Sequence, residues 1–128
     1  MKSISPAILI QKHCRELQEE VDGTRILVMR FWPRGVRKSH FDEWHRDLAP
    51  SADLFKWCQT NRGQLDHETF TTAWQARYRA QMSAQRDLIK DLKSRHQAGE
   101  TLTLLCGCHD PAECHRSVLA DLILQKED

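Results

Sequence analysis

Cysteine and histidine crowd one stretch near the end of the chain, Cys106-Gly107-Cys108-His109-Asp110-Pro111-Ala112-Glu113-Cys114-His115-Arg116. Thiolate and imidazole are donors that zinc and iron accept readily, and Cys106, Cys108, His109 and Cys114 would suffice for a tetrahedral zinc or iron site. The spacing departs from the paired Cys-x2-4-Cys and His-x3-5-His elements of structural zinc sites, because a single cluster carries all the donors. The same residues permit a different chemistry. A helix beginning at Cys114 would turn backbone N–H groups and the positive end of its dipole toward that position, attracting anions and lowering the pKa of a thiol. Cys114 is then a candidate nucleophile or redox thiol, His115 a candidate general acid or base, and Arg116 an anion clamp. Neighbouring side chains on a helix diverge by about 100°, so adjacency alone does not pair Cys114 with His115. The plainer alternative is that small thiols are simply buried at the end of a strand.

A second loop carries arginine. Arg30-Phe31-Trp32-Pro33-Arg34-Gly35 combines a proline that stiffens the turn with a glycine that permits unusual backbone angles. Arg30 and Arg34 present planar forks suited to phosphate or carboxylate, and Trp32 offers an indole that can stack on a base. From Thr24 to Phe41 the basic residues Arg25, Arg30, Arg34, Arg37 and Lys38 stand without an acid among them. That segment is a candidate anion-binding surface. Its bland counterpart is a solvated basic loop balanced by Asp42, Glu43 and Asp47, with Trp32 in the core.

Both loops follow apolar runs that read as buried strands. Thr24 to Met29 is entered from the turn signal Asp22-Gly23, and Thr101 to Cys106 lies between Gly99 and Gly107. The run Ala7 to Gln11 suits a third strand or the opening of a helix, and the strand is the preferred reading. Phe41, Trp44 and Leu48, spaced by three and four, suggest a short helix that ends at Pro50, after which Ser51 caps another through Leu54, Phe55, Trp57 and Cys58. Phe70, Trp74, Tyr78 and Met82 recur every four residues, and Leu88, Ile89 and Leu92 resume the stripe after a break near Ser83. Val118, Leu119, Leu122 and Ile123 mark a closing helix from Cys114 to Leu124. This order of strands and helices predicts an α/β fold, a small and mostly parallel β-sheet flanked by helices, as one compact domain over residues 1–128.

Composition narrows the classes further. At 128 residues, 40% hydrophobic and 29% charged, the chain has the make-up of a globular domain and no internal repeat. Its apolar runs fall far short of the roughly 20 residues of a membrane helix. The first residues lack the pattern of a secretory signal, so a cytoplasmic location is expected, with the five cysteines as thiols, metal ligands or reactive groups rather than a disulfide framework. A formal charge of +1 removes any whole-molecule attraction to nucleic acid, so such binding would have to be local.

With these loops in view, the chain resembles the YeaO-like family, domain of unknown function 488, from about Thr24 to Leu124. The resemblance rests on Arg30-Phe31-Trp32-Pro33-Arg34-Gly35, Trp44 with Asp47-Leu48-Ala49-Pro50-Ser51, Leu54-Phe55-Lys56-Trp57, Phe70, and Arg77-Tyr78-Arg79. It implies an α/β fold with a small sheet and flanking helices, and no particular activity. Many members carry Asp where this chain has Met29, often Phe at Cys58, and a Tyr-Ala-Ala-Lys-Asp loop after the last strand. The Cys114-His115-Arg116 string is closer to a second branch of the family, so cysteine chemistry would not be common to all members.

Three functions follow as expectations. The first is binding of a phosphate-bearing small molecule or nucleic acid by Arg30, Trp32, Arg34 and Arg116 in a crevice at the strand ends. The second is a metal-binding or thiol-redox domain built on the cysteine and histidine loop. The third is an interaction module without catalysis.

Overall fold

The computed structural model describes residues 8–107 and 114–125. Four strands, β1 (Leu9–His13), β2 (Thr24–Leu27), β3 (Glu43–Trp44) and β4 (Leu102–Cys106), form one sheet in the order β1-β4-β2-β3. Every pairing is parallel. Among the described residues the α-helices are α1 (Ala52–Asn61), α2 (His67–Met82), α3 (Arg86–Gln97) and α4 (His115–Leu124). Parallel strands all point their carboxyl ends to one edge, which is where α/β sheets bind ligands. Here that edge gathers Cys106, which pairs with His13, and the exit of β2 at Val28, whose N–H donates to the Leu105 carbonyl at 2.9 Å.

Period-two alternation divides the strand residues between two cores. Ile26, Val28, Leu104 and Cys106 face the larger one, with Phe70, Trp74, Tyr78 and Met82 of α2, Ile89 and Leu92 of α3, and Val118, Leu119 and Ile123 of α4. Burying each large aliphatic or aromatic side chain of that set contributes about 1.5–3 kcal/mol. Leu27 and Leu105 face the smaller core with Cys14 and Phe41, against which Trp32, Val36 and Trp44 pack. The helices therefore cover one face, and the loop after β2 covers the other. All five residues of β4 are buried, as befits a central parallel strand.

Local chemistry sets the helix starts. Ser51 Oγ accepts from the Leu54 N–H at 3.1 Å, and Asp66 Oδ1 accepts from the Thr69 N–H at 2.9 Å. A single turn of 3-10 helix, Ser83–Gln85, separates α2 from α3. Gly23 enters β2 at φ 61°, and a Cβ there would lie 2.4 Å from the Thr101 carbonyl oxygen, so only glycine fits.

The helix expected around Phe41, Trp44 and Leu48 is absent. Glu43–Trp44 is instead an edge strand paired with Ile26 and Leu27, flanked by 3-10 turns at Lys38–His40 and Arg46–Leu48. The spacing of three and four misleads because Phe41 and Trp44 pack in the smaller core while Leu48 enters the larger one. The expected strand at residues 7–11 forms as Leu9–His13. Arg25 also departs from the anion-binding surface proposed for its segment. It is fully buried, paired with Asp22, and its Nε donates to the His40 carbonyl at 2.9 Å.

Candidate functional site

Cys106 ends β4, and Cys114 is the residue before the first turn of α4, so sheet and helix bring their chemistry to the same edge. His115 completes the group. Its Nε2 lies 2.6 Å from the carbonyl oxygen of Val28. A carbonyl only accepts, so Nε2 carries a proton, and in the neutral ring Nδ1 is the nitrogen with the lone pair. Nδ1 faces both thiols, with Cys106 Sγ at 3.7 Å and Cys114 Sγ at 3.8 Å. All three residues are buried, and the three donor atoms lie within 4.8 Å of one another. The imidazole is thus held by the exit of β2 and aimed at sulfur from β4 and from the start of α4.

Tyr78 backs this group, its ring centroid 5.5 Å from that of His115. Its hydroxyl donates to the Leu48 carbonyl at 2.7 Å. Burial, reinforced by the nearby Cys114 and Cys106 sulfurs, pushes the phenol well above its ordinary range. Tyr78 is therefore a neutral positioning group and does not exchange protons near neutrality.

In front of His115 opens a cavity of about 620 Å³, within the range that accommodates a small-molecule ligand. His115, Cys106 and Gly107 form part of its wall, with Arg30 and Arg62 as its cations. Trp74, Phe31 and Phe55 supply aromatic surface, and no Asp or Glu stands among the described lining residues. Arg30 is anchored by an Nε–H donated to the Pro50 carbonyl at 3.0 Å. Arg62 follows the last turn of α1, its N–H donating to the Cys58 carbonyl at 2.9 Å, and its guanidinium lies 5.0 Å from the ring centroid of Phe70. Cys58 also lines the cavity, its thiol pushed up by burial against the opposing pull of Arg62 and Arg77. Phe31 and Phe55 remain 76% and 59% exposed, leaving two phenyl rings in water beside the cavity.

A family model described as the active DUF488-N3 subclade matches residues 9–127, nearly the whole chain. The chain belongs to the DUF488 family. It is 35% identical over 106 residues to the uncharacterised protein YeaO of Escherichia coli, covering 80% of this chain and 85% of YeaO. It is 30% identical over 106 residues to the uncharacterised protein Mb3100c of Mycobacterium bovis, covering 80% of this chain and 81% of that one. The uncharacterised protein Rv3073c of Mycobacterium tuberculosis matches to the same extent. No solved structure matches significantly.

Within this DUF488 fold the residues singled out from sequence go to different places. Arg30, Cys106 and His115 meet at the cavity, and Cys114 stands behind them with its side chain fully buried. Trp32 turns away into the smaller core, where its indole N–H donates to the Val36 carbonyl at 2.7 Å and its ring meets Phe41 and Trp44 edge-on at 5.3 Å. Arg34 is exposed, and its carbonyl accepts from Arg15 Nη2 at 2.9 Å. Arg116 is 2% exposed and donates from Nη1 to the carbonyls of Lys12 and Cys106, tying the ends of β1 and β4 together. The three arginines expected in one crevice thus separate into a cavity residue, a surface residue and a strand clamp. Cys108 and His109 lie outside the described residues. Arg62, Phe55 and Trp74 were missed. Their part in the cavity depends on how α1 and α2 pack, and no local motif reports that.

Proposed function

We propose that this DUF488 protein binds an anionic ligand carrying a flat apolar group, of the nucleotide class, in the cavity at the carboxyl ends of β2 and β4. The reading rests on one observation: Arg30 and Arg62 border a cavity of about 620 Å³ together with the aromatic side chains of Phe31, Phe55 and Trp74. Guanidinium groups favour phosphate, and aromatic walls favour a base. The exposed rings of Phe31 and Phe55 add to this, since a ligand stacked on them would remove apolar surface from water. His115 and Cys106 border the cavity, so chemistry on a bound ligand falls to them. The description of the matching family as an active subclade agrees with a site that does more than bind.

Calorimetric titration with a nucleoside monophosphate, its parent nucleoside and inorganic phosphate tests the reading. The monophosphate should bind most tightly, and Arg30→Ala or Arg62→Ala should each weaken it by about 10-fold to 100-fold through loss of a charge-assisted contact. Equal binding of nucleoside and monophosphate would remove the arginines from the account. Absence of binding by all three at low salt would overturn it.

A further inference from the structure

We propose that Cys106, Cys114 and His115 together hold one zinc-class divalent cation, with the fourth coordination position turned toward the cavity. The cation needs only these three donors, so the inference stands apart from the anionic-ligand reading.

Geometry carries the argument first. A tetrahedral ion bound at about 2.3 Å to sulfur and about 2.05 Å to nitrogen sets the sulfur to nitrogen separations at about 3.6 Å. The observed distances from His115 Nδ1 are 3.7 Å to Cys106 Sγ and 3.8 Å to Cys114 Sγ. One imidazole nitrogen has a single in-plane lone pair, yet two sulfurs approach it equally. An ion among the three atoms uses that lone pair and both sulfurs together. The donors also lie within 4.8 Å of one another, so gathering them around an ion requires movement of at most about 1 Å.

The support around the donors has the character of a metal site. Metal-bound imidazoles commonly donate their other N–H to a carbonyl or carboxylate, which fixes the tautomer and the ring plane. His115 does so through Nε2 to Val28 at 2.6 Å. The donors come from the end of a fully buried strand and the start of a ten-residue helix, which limits their motion. Charge agrees as well. Two buried thiolates would be costly in a low-dielectric interior, whereas two thiolates, a neutral imidazole and a divalent cation sum to zero. Soft sulfur with imidazole selects zinc over magnesium or calcium.

The position of the cavity gives this site its meaning. Cys106 and His115 line it and Cys114 lies behind them, so among the described residues three ligands stand on one side of the ion and the cavity lies on the other. Three protein ligands with an open fourth position are the pattern of catalytic zinc, and four closed ligands that of structural zinc.

The test uses the full chain, purified under reducing conditions without a metal-affinity step and analysed for metal per chain. About one equivalent of zinc is expected, falling to about a tenth or less in Cys106→Ser and in His115→Ala. Cobalt titration of chelated wild-type protein supplies a reading that does not depend on the folding of those variants. Tetrahedral ligand-field bands with a thiolate charge-transfer band support the site. A change in those bands on adding azide or cyanide supports the open position. Retention of about one equivalent in Cys108→Ser and in His109→Ala supports the three-ligand set, and loss in either would overturn the open position. Substoichiometric zinc in wild type without thiolate–cobalt bands, or a Cys106–Cys114 disulfide in protein purified under reducing conditions, would overturn the proposal.

Discussion

Two regions of this molecule bury polar groups, and they do so to different ends. Around the start of β2, Asp22 and Arg25 are both fully buried, and they are paired with each other. Lys12 reaches Asp22 Oδ1 at 2.8 Å, Thr103 Oγ1 donates to the Asp22 carbonyl at 2.6 Å, and Arg25 Nη2 donates to the Glu16 carbonyl at 3.2 Å. At the opposite edge, Cys106, Cys114 and His115 are also buried, but two of the three border a cavity. The first group is turned inward, with each charge answered by another. The second presents a lone pair and sulfur beside open volume. Burial of ionisable residues therefore does not mark a site by itself, and the neighbouring cavity is what separates chemistry from scaffolding.

Breaking the inward network should have the largest effect. Asp22→Ala leaves the Arg25 guanidinium buried without its carboxylate, and urea unfolding should show a loss of about 3–5 kcal/mol. Burial alone would raise the Asp22 pKa, but the Lys12 ammonium, the Glu19 N–H and the Arg25 guanidinium outweigh it and hold it low. A loss under 1 kcal/mol would mean that water reaches Arg25 and that the network is not closed.

Trp32 sharpens the comparison next, since sequence placed it in the site and the structure places it in the smaller core. Trp32→Ala should destabilise the fold by about 3 kcal/mol and leave nucleotide affinity within about twofold. Loss of ligand binding with little loss of stability would reverse that assignment.

A third test uses pH. Arg95, through its hydrogen bonds, together with Thr24 holds the Glu100 carboxyl down to about 2, against an ordinary value of 4.5. A folded-state value below the unfolded one gives stability that is complete above 4.5 and lost as pH falls toward about 2. The pair is partly open to water, so Glu100→Gln should lower stability at pH 7 by about 1 kcal/mol. It should also flatten the stability profile across that acid window. A wild-type profile that stays flat below pH 4.5 would show the pair to be inert.

Arg30→Ala should have the smallest effect on the fold, about 0.5 kcal/mol or less, because its one described hydrogen bond goes to the Pro50 carbonyl. Its effect on ligand affinity should nonetheless be the tenfold or more expected of a charge-assisted contact. A large loss of stability instead would make Arg30 a second strand-end clamp like Arg116.

The pattern of what sequence revealed follows the range of the interactions involved. The α2 stripe of Phe70, Trp74, Tyr78 and Met82 and the caps at Ser51 and Asp66 are local, and the first three helices and the closing one were all legible, although Asp66 itself was not singled out. The buried character of β2 and β4 was likewise carried by short apolar runs. Glu43–Trp44 was missed because a two-residue edge strand has no period, and its pairing with Ile26 and Leu27 is set by the sheet. In the site, the density of cysteine and histidine drew attention to the right loop. Which nitrogen faces the sulfurs depends on Val28, 87 positions away, and which arginines share the cavity depends on α1 packing against α2. Arg116 illustrates the same point, since its side chain spans 104 positions to reach Lys12.

The account turns on His115 presenting Nδ1 to the thiols while Val28 holds the proton on Nε2. Nitrogen-15 NMR of the imidazole, assigned by comparison with His115→Gln, reads that state directly. The expected spectrum at neutral pH shows a protonated Nε2 and a proton-free Nδ1, with the Nδ1 resonance shifting when zinc or a nucleoside monophosphate is added to metal-free protein. A proton on Nδ1, or resonances unmoved by either addition, would contradict the placement of the functional centre at Cys106, Cys114 and His115.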